Sequence, residues 1–175
     1  MIRNLCCLLF IITCVAACSR ETGESRQVKA VIMRYNQLLV EGYKKLNMNP
    51  LQEVTTPEQA TKLYYHMSAL GEGKLRMDST MKNIEFRKLE FRNNGEAVAE
   101  TREIWDFTHL DMNSGKKFYE EKDFIYEMGY ELKKEGGRWL ITRVTALSGK
   151  STNTTVPWPE TKRHGGMSSV GNGRK

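Results

Sequence analysis

The amino-acid sequence predicts an α+β domain: two N-terminal helices packed on a strongly curved, four-stranded antiparallel sheet. Three observations carry this expectation. Apolar residues recur at three-four spacing between Val28 and Leu70, the period of a helix with one buried face. Beyond Ile84 the period falls to two, that of a strand with one covered face. The second half is also punctuated by Asn94-Gly95, Asn113-Ser114-Gly115 and Gly136-Gly137, turn signals of the kind that join antiparallel neighbours. The helices must cover one face of the sheet, since no other element is available to bury it.

In the first helix the shared face runs from Val28 through Ile32, Tyr35, Leu39 and Tyr43 to Leu46, and Pro50 lies beyond its end. Thr56-Pro57-Glu58-Gln59 then supplies a start signal. Thr56 is the N-cap, Pro57 fits the first turn, and Gln59 stands three residues on as a capping-box partner. Ala60, Leu63, Met67 and Leu70 form the second buried stripe, which Gly71 and Gly73 weaken, so this helix should fade by about Asp78. In the first strand Ile84 and Phe86 lie on one phase and Leu89 and Phe91 on the other, which calls for a bulge near Arg87 or Lys88. The second strand runs from about Ala97 to Leu110. Phe124, Tyr126, Met128, Tyr130 and Leu132 share one phase of the third, and Trp139, Ile141 and Leu147 belong to a closing strand.

The front end has a different character. One basic residue, Arg3, precedes the uncharged run LCCLLFIITCVAA. This is short of the roughly 20 apolar residues that a membrane-crossing helix needs, and it has the form of a secretory signal peptide. Its end, Val15-Ala16-Ala17-Cys18, resembles the bacterial lipobox. That resemblance implies cleavage before Cys18, a diacylglycerol thioether on its sulfur and acylation of the new amine. Cys6, Cys7 and Cys14 would leave with the leader, so the mature chain would carry no disulfide and no free thiol. More than one acyl chain makes such anchoring durable, and Ser19 after the cysteine favours the periplasmic face of an outer membrane. The expected organisation is a signal peptide over 1–17, a lipidated cysteine and tether over 18–27, a domain over 28–148 and a disordered basic tail over 149–175.

Charge supports that division. The formal net charge of +6 sits largely in the tail, where Lys150, Lys162, Arg163, Arg174 and Lys175 face a single Glu160. The domain itself is close to neutral. A basic chain ordinarily raises the prospect of nucleic-acid binding, but here the excess lies outside the domain of an exported protein, so no nucleic-acid partner is expected. The tail is rich in Gly, Ser, Thr and Asn, which cannot bury enough apolar surface to repay ordering. Within it Val156-Pro157-Trp158-Pro159 is a candidate docking peptide, with an untethered linker as the plainer reading.

At VIMRYNQLLVEGY, AVAETREIWDF and YEMGYELKKEGGRWLITRV the chain resembles the nuclear transport factor 2-like superfamily. These are cone-shaped α+β domains in which helices close one side of a bent sheet. Within it the pattern is most similar to the intermembrane-space domain of chloroplast and cyanobacterial division proteins. The resemblance spans about Val28 to Leu147 and rests on structural motifs. Many members have a third helix before the sheet; none is evident here, so a closed, deep pocket is not expected.

Members such as ketosteroid isomerase and scytalone dehydratase use an Asp or His in the cone with Tyr partners. A carboxylate or imidazole in an apolar cavity has a shifted pKa and can move protons near neutral pH. Candidates of that kind are Asp106, His109, His66, Tyr64, Tyr126 and Tyr130, with Trp105 and Met128 as further cavity lining. No catalytic motif of either enzyme matches position by position, so none of their catalytic residues is carried over. Each candidate also has a plainer reading. Asp106 and Glu103 lie on opposite faces of a strand, so at most one points inward. His109 sits at a strand end, His66 on a helix flank, and Tyr126 and Tyr130 in phase with core positions. Trp105 and Trp139 are large core side chains whose indole N–H needs a partner.

The three histidines are scattered and no HExxH or CxxC pair exists, so no metal site is expected. No phosphate loop is present and no cofactor is expected. The role that follows is non-catalytic: a membrane-anchored envelope protein binding an envelope protein segment or a small apolar ligand. The chloroplast relatives, which engage a partner protein, favour the first. The alternatives are an isomerase-, dehydratase- or hydrolase-like cavity enzyme on the same fold, or attachment to the envelope through the basic tail.

Overall fold

The computed structural model describes residues 22–92 and 95–159. Cys18, the leader before it and the last part of the tail lie outside the described residues. Helix α1 spans Gly23–Lys45, starting earlier than its apolar stripe because its first turn is polar. Thr22 caps it, its Oγ1 accepting the Ser25 N–H at 3.1 Å. The segment expected as a tether therefore turns helical within its own length. At the other end Leu46 adopts the left-handed conformation at φ 54°. The chain folds back so closely there that a Cβ on Gly42 would stand 2.6 Å from Met48 Sδ; only glycine fits without displacing Met48.

A 3-10 turn over Asn49–Glu53 leads to α2, Pro57–Glu72. Thr56 is its N-cap and accepts from the Gln59 N–H at 3.5 Å. The segment before it is pinned to the sheet: Thr56 N–H donates to Ile141 O at 3.0 Å and Ile141 N–H to Val54 O at 2.8 Å. Gly73 ends α2 and Lys74 takes φ 57°, so the helix stops at Glu72, short of the expected fade near Asp78, and β1 begins at once.

Four long strands form an antiparallel meander in the order β1-β2-β3-β4: Leu75–Arg92, Glu96–Asp111, Lys117–Glu135 and Arg138–Lys150. The β1 strand slips register between Phe86 and Lys88, at the position its apolar phase change marks, and again between Met81 and Asn83. Further shifts fall on β2–β3 and β3–β4. Such irregularities bend strands and increase twist, and together they curl the sheet beneath the helices. The core fills the concave side, where Val28 and Ile32 of α1 meet Ala99, Leu132 and Ile141 of the sheet. Trp139 is buried too, and its indole N–H has no hydrogen-bond partner among the described residues.

The tail departs from expectation. Gly149 and Lys150 complete β4, and Asn153–Val156 form a fifth strand, β5, that pairs antiparallel with Glu120–Lys122 of β3. Composition argues against order here because few apolar groups are available. The ordering comes instead from a buried carboxylate, Glu121, whose partners lie in that segment.

Candidate functional site

The concave face encloses a cavity of about 510 Å³, within the range of pockets that take small molecules. Its floor is the inward row of β2: Glu103, Trp105, Phe107 and His109. Alternation along a strand places all four on one face. Glu103 is 1% exposed and both of its oxygens are engaged. Oε1 accepts from Thr101 Oγ1 at 2.7 Å and from Tyr130 OH at 2.6 Å, and Oε2 accepts from Trp105 Nε1 at 2.8 Å. Asn36 Nδ2 of α1 in turn donates to Tyr130 OH at 3.2 Å. The network ties helix to sheet and holds Trp105 against Phe107, whose rings stack 5.9 Å apart.

The β3 wall depends on a bulge. Between Trp105 and Phe107 the register jumps from Phe124 to Glu121, setting Lys122 and Asp123 against the single residue Asp106, and Asp123 takes φ 55°. The odd phase therefore points inward before the bulge and the even phase after it, so Tyr119 and Tyr126 both line the cavity. Asp106 holds this bulge from the outer face. Its Oδ1 accepts the Asp123 N–H at 2.9 Å, and Lys82 and Lys122 approach within 3.6 and 3.5 Å. Burial works to raise the Asp106 carboxyl, but that N–H and the two ammonium groups outweigh it and lower its pKa.

Of the residues that the sequence singles out, Trp105, Tyr126 and Met128 line the cavity. Three lie elsewhere. Asp106 faces outward because Glu103, on the opposite phase, takes the interior. Tyr64 is 51% exposed on the outer side of α2, since Gln59, Leu63 and His66 are the residues on the cavity side. Tyr130 lies beneath the floor, fully buried, and reaches the site only through its bond to Glu103. Both domain histidines are at the cavity: His66 Nδ1 is hydrogen-bonded to Tyr43 OH, and His109 is 9% exposed at the mouth. Burial, with the charge of His66 second, lowers the His109 imidazole below its ordinary value.

Gln59, Glu121 and Trp158 escaped the sequence reading of the site. Gln59 does not turn back to complete a capping box; it is 3% exposed and lines the cavity. Trp158 covers the mouth. Its ring stacks on Tyr119 at 4.7 Å and lies 4.9 Å from His109 and 5.4 Å from Phe118. The strap that carries it is latched by Glu121, which is wholly buried. Oε1 accepts the N–H groups of Thr152 and Asn153, each at 2.9 Å, and the Ser151 hydroxyl at 3.0 Å; Oε2 accepts from Thr154 and, at 3.3 Å, from Tyr119. Burial alone would raise this carboxyl, but those donors lower its pKa to about 2. The candidate docking peptide thus docks on its own domain.

Helices closing one side of a curled antiparallel meander, with a cavity between, make a cone. The fold is nuclear transport factor 2-like. The chain is similar to the intermembrane space region of the chloroplast protein ARC6, at 13% identity over 70% of this chain and 95% of that one, with a TM-score of 0.60. It is also similar to an NTF-2 like protein of unknown function from Shewanella oneidensis, at 13% identity over 67% and 96% with a TM-score of 0.42. A hexachlorocyclohexane dehydrochlorinase (LinA) type 2 is similar at 9% identity over 75% and 93%, with a TM-score of 0.47. No protein-family model and no curated protein matches the sequence. The fold fixes where the cavity lies; a fold does not by itself choose the chemistry done there.

Among the described residues no group of three or more His, Cys, Asp or Glu side chains is placed to hold a metal ion. No helix among them is long and apolar enough to cross a membrane.

Proposed function

We propose that the chain is a lipid-anchored binding protein whose cone takes a small, largely apolar ligand. The observation that carries this reading is the roughly 510 Å³ cavity walled by Trp105, Phe107, Phe124, Tyr126 and Met128. Its deepest ionisable group, Glu103, already has both oxygens occupied by three protein donors, which suits a scaffold rather than a proton carrier. A small molecule fits better than a protein segment, because α1, α2 and the strap flank the concave face. Anchoring through Cys18 rests on the Val15-Ala16-Ala17-Cys18 pattern, and α1 starts so soon after it that the cone would sit close to the membrane.

Binding is tested with N-phenyl-1-naphthylamine, a neutral dye that brightens in apolar surroundings. The expected result is saturable one-to-one binding, lost in Val144→Trp, which fills the cavity, at unchanged thermal stability. No saturable binding would end the reading. Anchoring is tested by mass spectrometry of wild type beside Cys18→Ala in a bacterial host; acylation should be present in the first and absent in the second.

One observation favours a cavity enzyme as the second reading: His109 Nδ1 is buried at the cavity without a hydrogen-bond partner among the described residues. An imidazole whose pKa is lowered by burial is neutral at pH 7 and can accept a proton. A bound ligand recovered unaltered from wild type supports binding. A product formed by wild type and not by His109→Gln supports the enzyme.

A further inference from the structure

The cavity's polar atoms are unevenly matched. Gln59 is 3% exposed and its side chain lines the cavity. Its Oε1 is left buried without a partner among the described residues. At the mouth His109, nine-tenths buried, has an Nδ1 in the same condition. A buried polar atom without a partner costs roughly 1–3 kcal/mol, so two around one cavity mark places where something else completes the bonding. An amide oxygen can only accept, and a neutral imidazole carries one accepting nitrogen. On the floor the Glu103 carboxylate is a further acceptor. Among the described residues no lysine or arginine lines the cavity to set against these acceptors.

From this we infer that the cone selects an apolar molecule carrying a hydroxyl or amine donor, seated on Gln59 at the inner end with His109 as a second acceptor at the mouth, and that it rejects carboxylates. The inference rests on the binding reading above and narrows its ligand class. The inner end is set by Tyr35, which lines the cavity with Gln59 and packs its ring edge-on against Tyr130 at 6.1 Å, and by the bond from Tyr130 to Glu103. From Glu103 to His109 the inward row of β2 covers roughly 20 Å of strand at about 3.3 Å per residue. Apolar walls lie between, formed by Leu39, Leu63, Phe107, Met128 and Val144. A donor head therefore meets an acceptor at either end and hydrocarbon in the middle. An acid head meets Glu103 or an amide oxygen with no lysine or arginine to offset its desolvation.

The test is displacement of N-phenyl-1-naphthylamine from the mature chain by three matched competitors: 2-naphthol, 2-methylnaphthalene and 2-naphthoate. 2-Naphthol should compete about tenfold better than 2-methylnaphthalene, the worth of one buried hydrogen bond, and 2-naphthoate should be the weakest. Gln59→Leu, with Gln59→Met as the second variant should the first fail to fold, and His109→Phe should shrink the naphthol advantage and leave 2-methylnaphthalene unchanged. If the dye itself does not bind, the cavity reading falls. If the dye binds but 2-naphthol is no better than the other two, or keeps its advantage in both the Gln59 and His109 variants, the ligand class is wrong and binding stands.

Discussion

Two buried glutamates lie on neighbouring strands of the same curled sheet, and they hold different things. Glu103 of β2 is 1% exposed and Glu121 of β3 is 0% exposed. Each accepts several hydrogen bonds, as a buried carboxylate must. The donors to Glu103 come from Thr101, Trp105 and Tyr130, all on the two central strands. Those to Glu121 come mostly from residues 151–154, beyond β4. One carboxylate fixes the floor of the cone. The other fastens a separable strap across its mouth, so the rigid and the removable parts of the site are set by the same chemistry with different partners.

The sharpest way to break that contrast is Glu103→Leu. It strands three buried donors and should cost roughly 3–5 kcal/mol of global stability, read as a lower denaturant midpoint with an unchanged slope. Glu121→Ala should act locally instead. Amide hydrogen exchange at Thr152 and Asn153 should rise by at least tenfold while Ala99 and Ile141 keep their protection. Equal loss of protection at both places would mean that the strap and the cone are one unit.

Acid should separate the two in the same way. The Glu121 carboxyl is lowered from 4.5 to about 2 in the folded strap. Its contribution is therefore complete above about pH 4.5 and is lost as the pH falls toward 2. Trp158 fluorescence should report release of the strap across that interval, and Glu121→Gln should abolish the titration. The smallest effect belongs to Trp158→Ala. With the ring 47% exposed, stability should change by about 1 kcal/mol or less, while the dye should associate and dissociate faster.

Much of the scaffold was legible in the sequence. Thr56 and Pro57 start α2 as their chemistry requires, and the phase change between Phe86 and Leu89 locates a β1 bulge. Gly95 takes φ 71° in the turn marked by Asn94-Gly95. The site was legible only in part. Strand alternation says that Glu103 and Asp106 point to opposite sides, but it does not say which side is the cone; that is decided by where the helices land. Tyr119 reads as out of phase with Tyr126 until the Lys122-Asp123 bulge is known, and a bulge held by an outer-face Asp106 leaves no apolar signature. β5 was invisible for the same reason. Its order comes from hydroxyls and backbone N–H groups converging on Glu121, and a Thr- and Asn-rich segment shows no hydrophobic period by which to recognise it.

The central claim is that the cone interior is a ligand site. It is tested most directly by following methionine methyl resonances while N-phenyl-1-naphthylamine is added. Met77 and Met128 line the cavity, whereas Met112 is an exposed residue beyond the end of β2. The account predicts saturable shifts at Met77 and Met128 and none at Met112. Shifts confined to Met112, or none at Met128 at saturating dye, would contradict it.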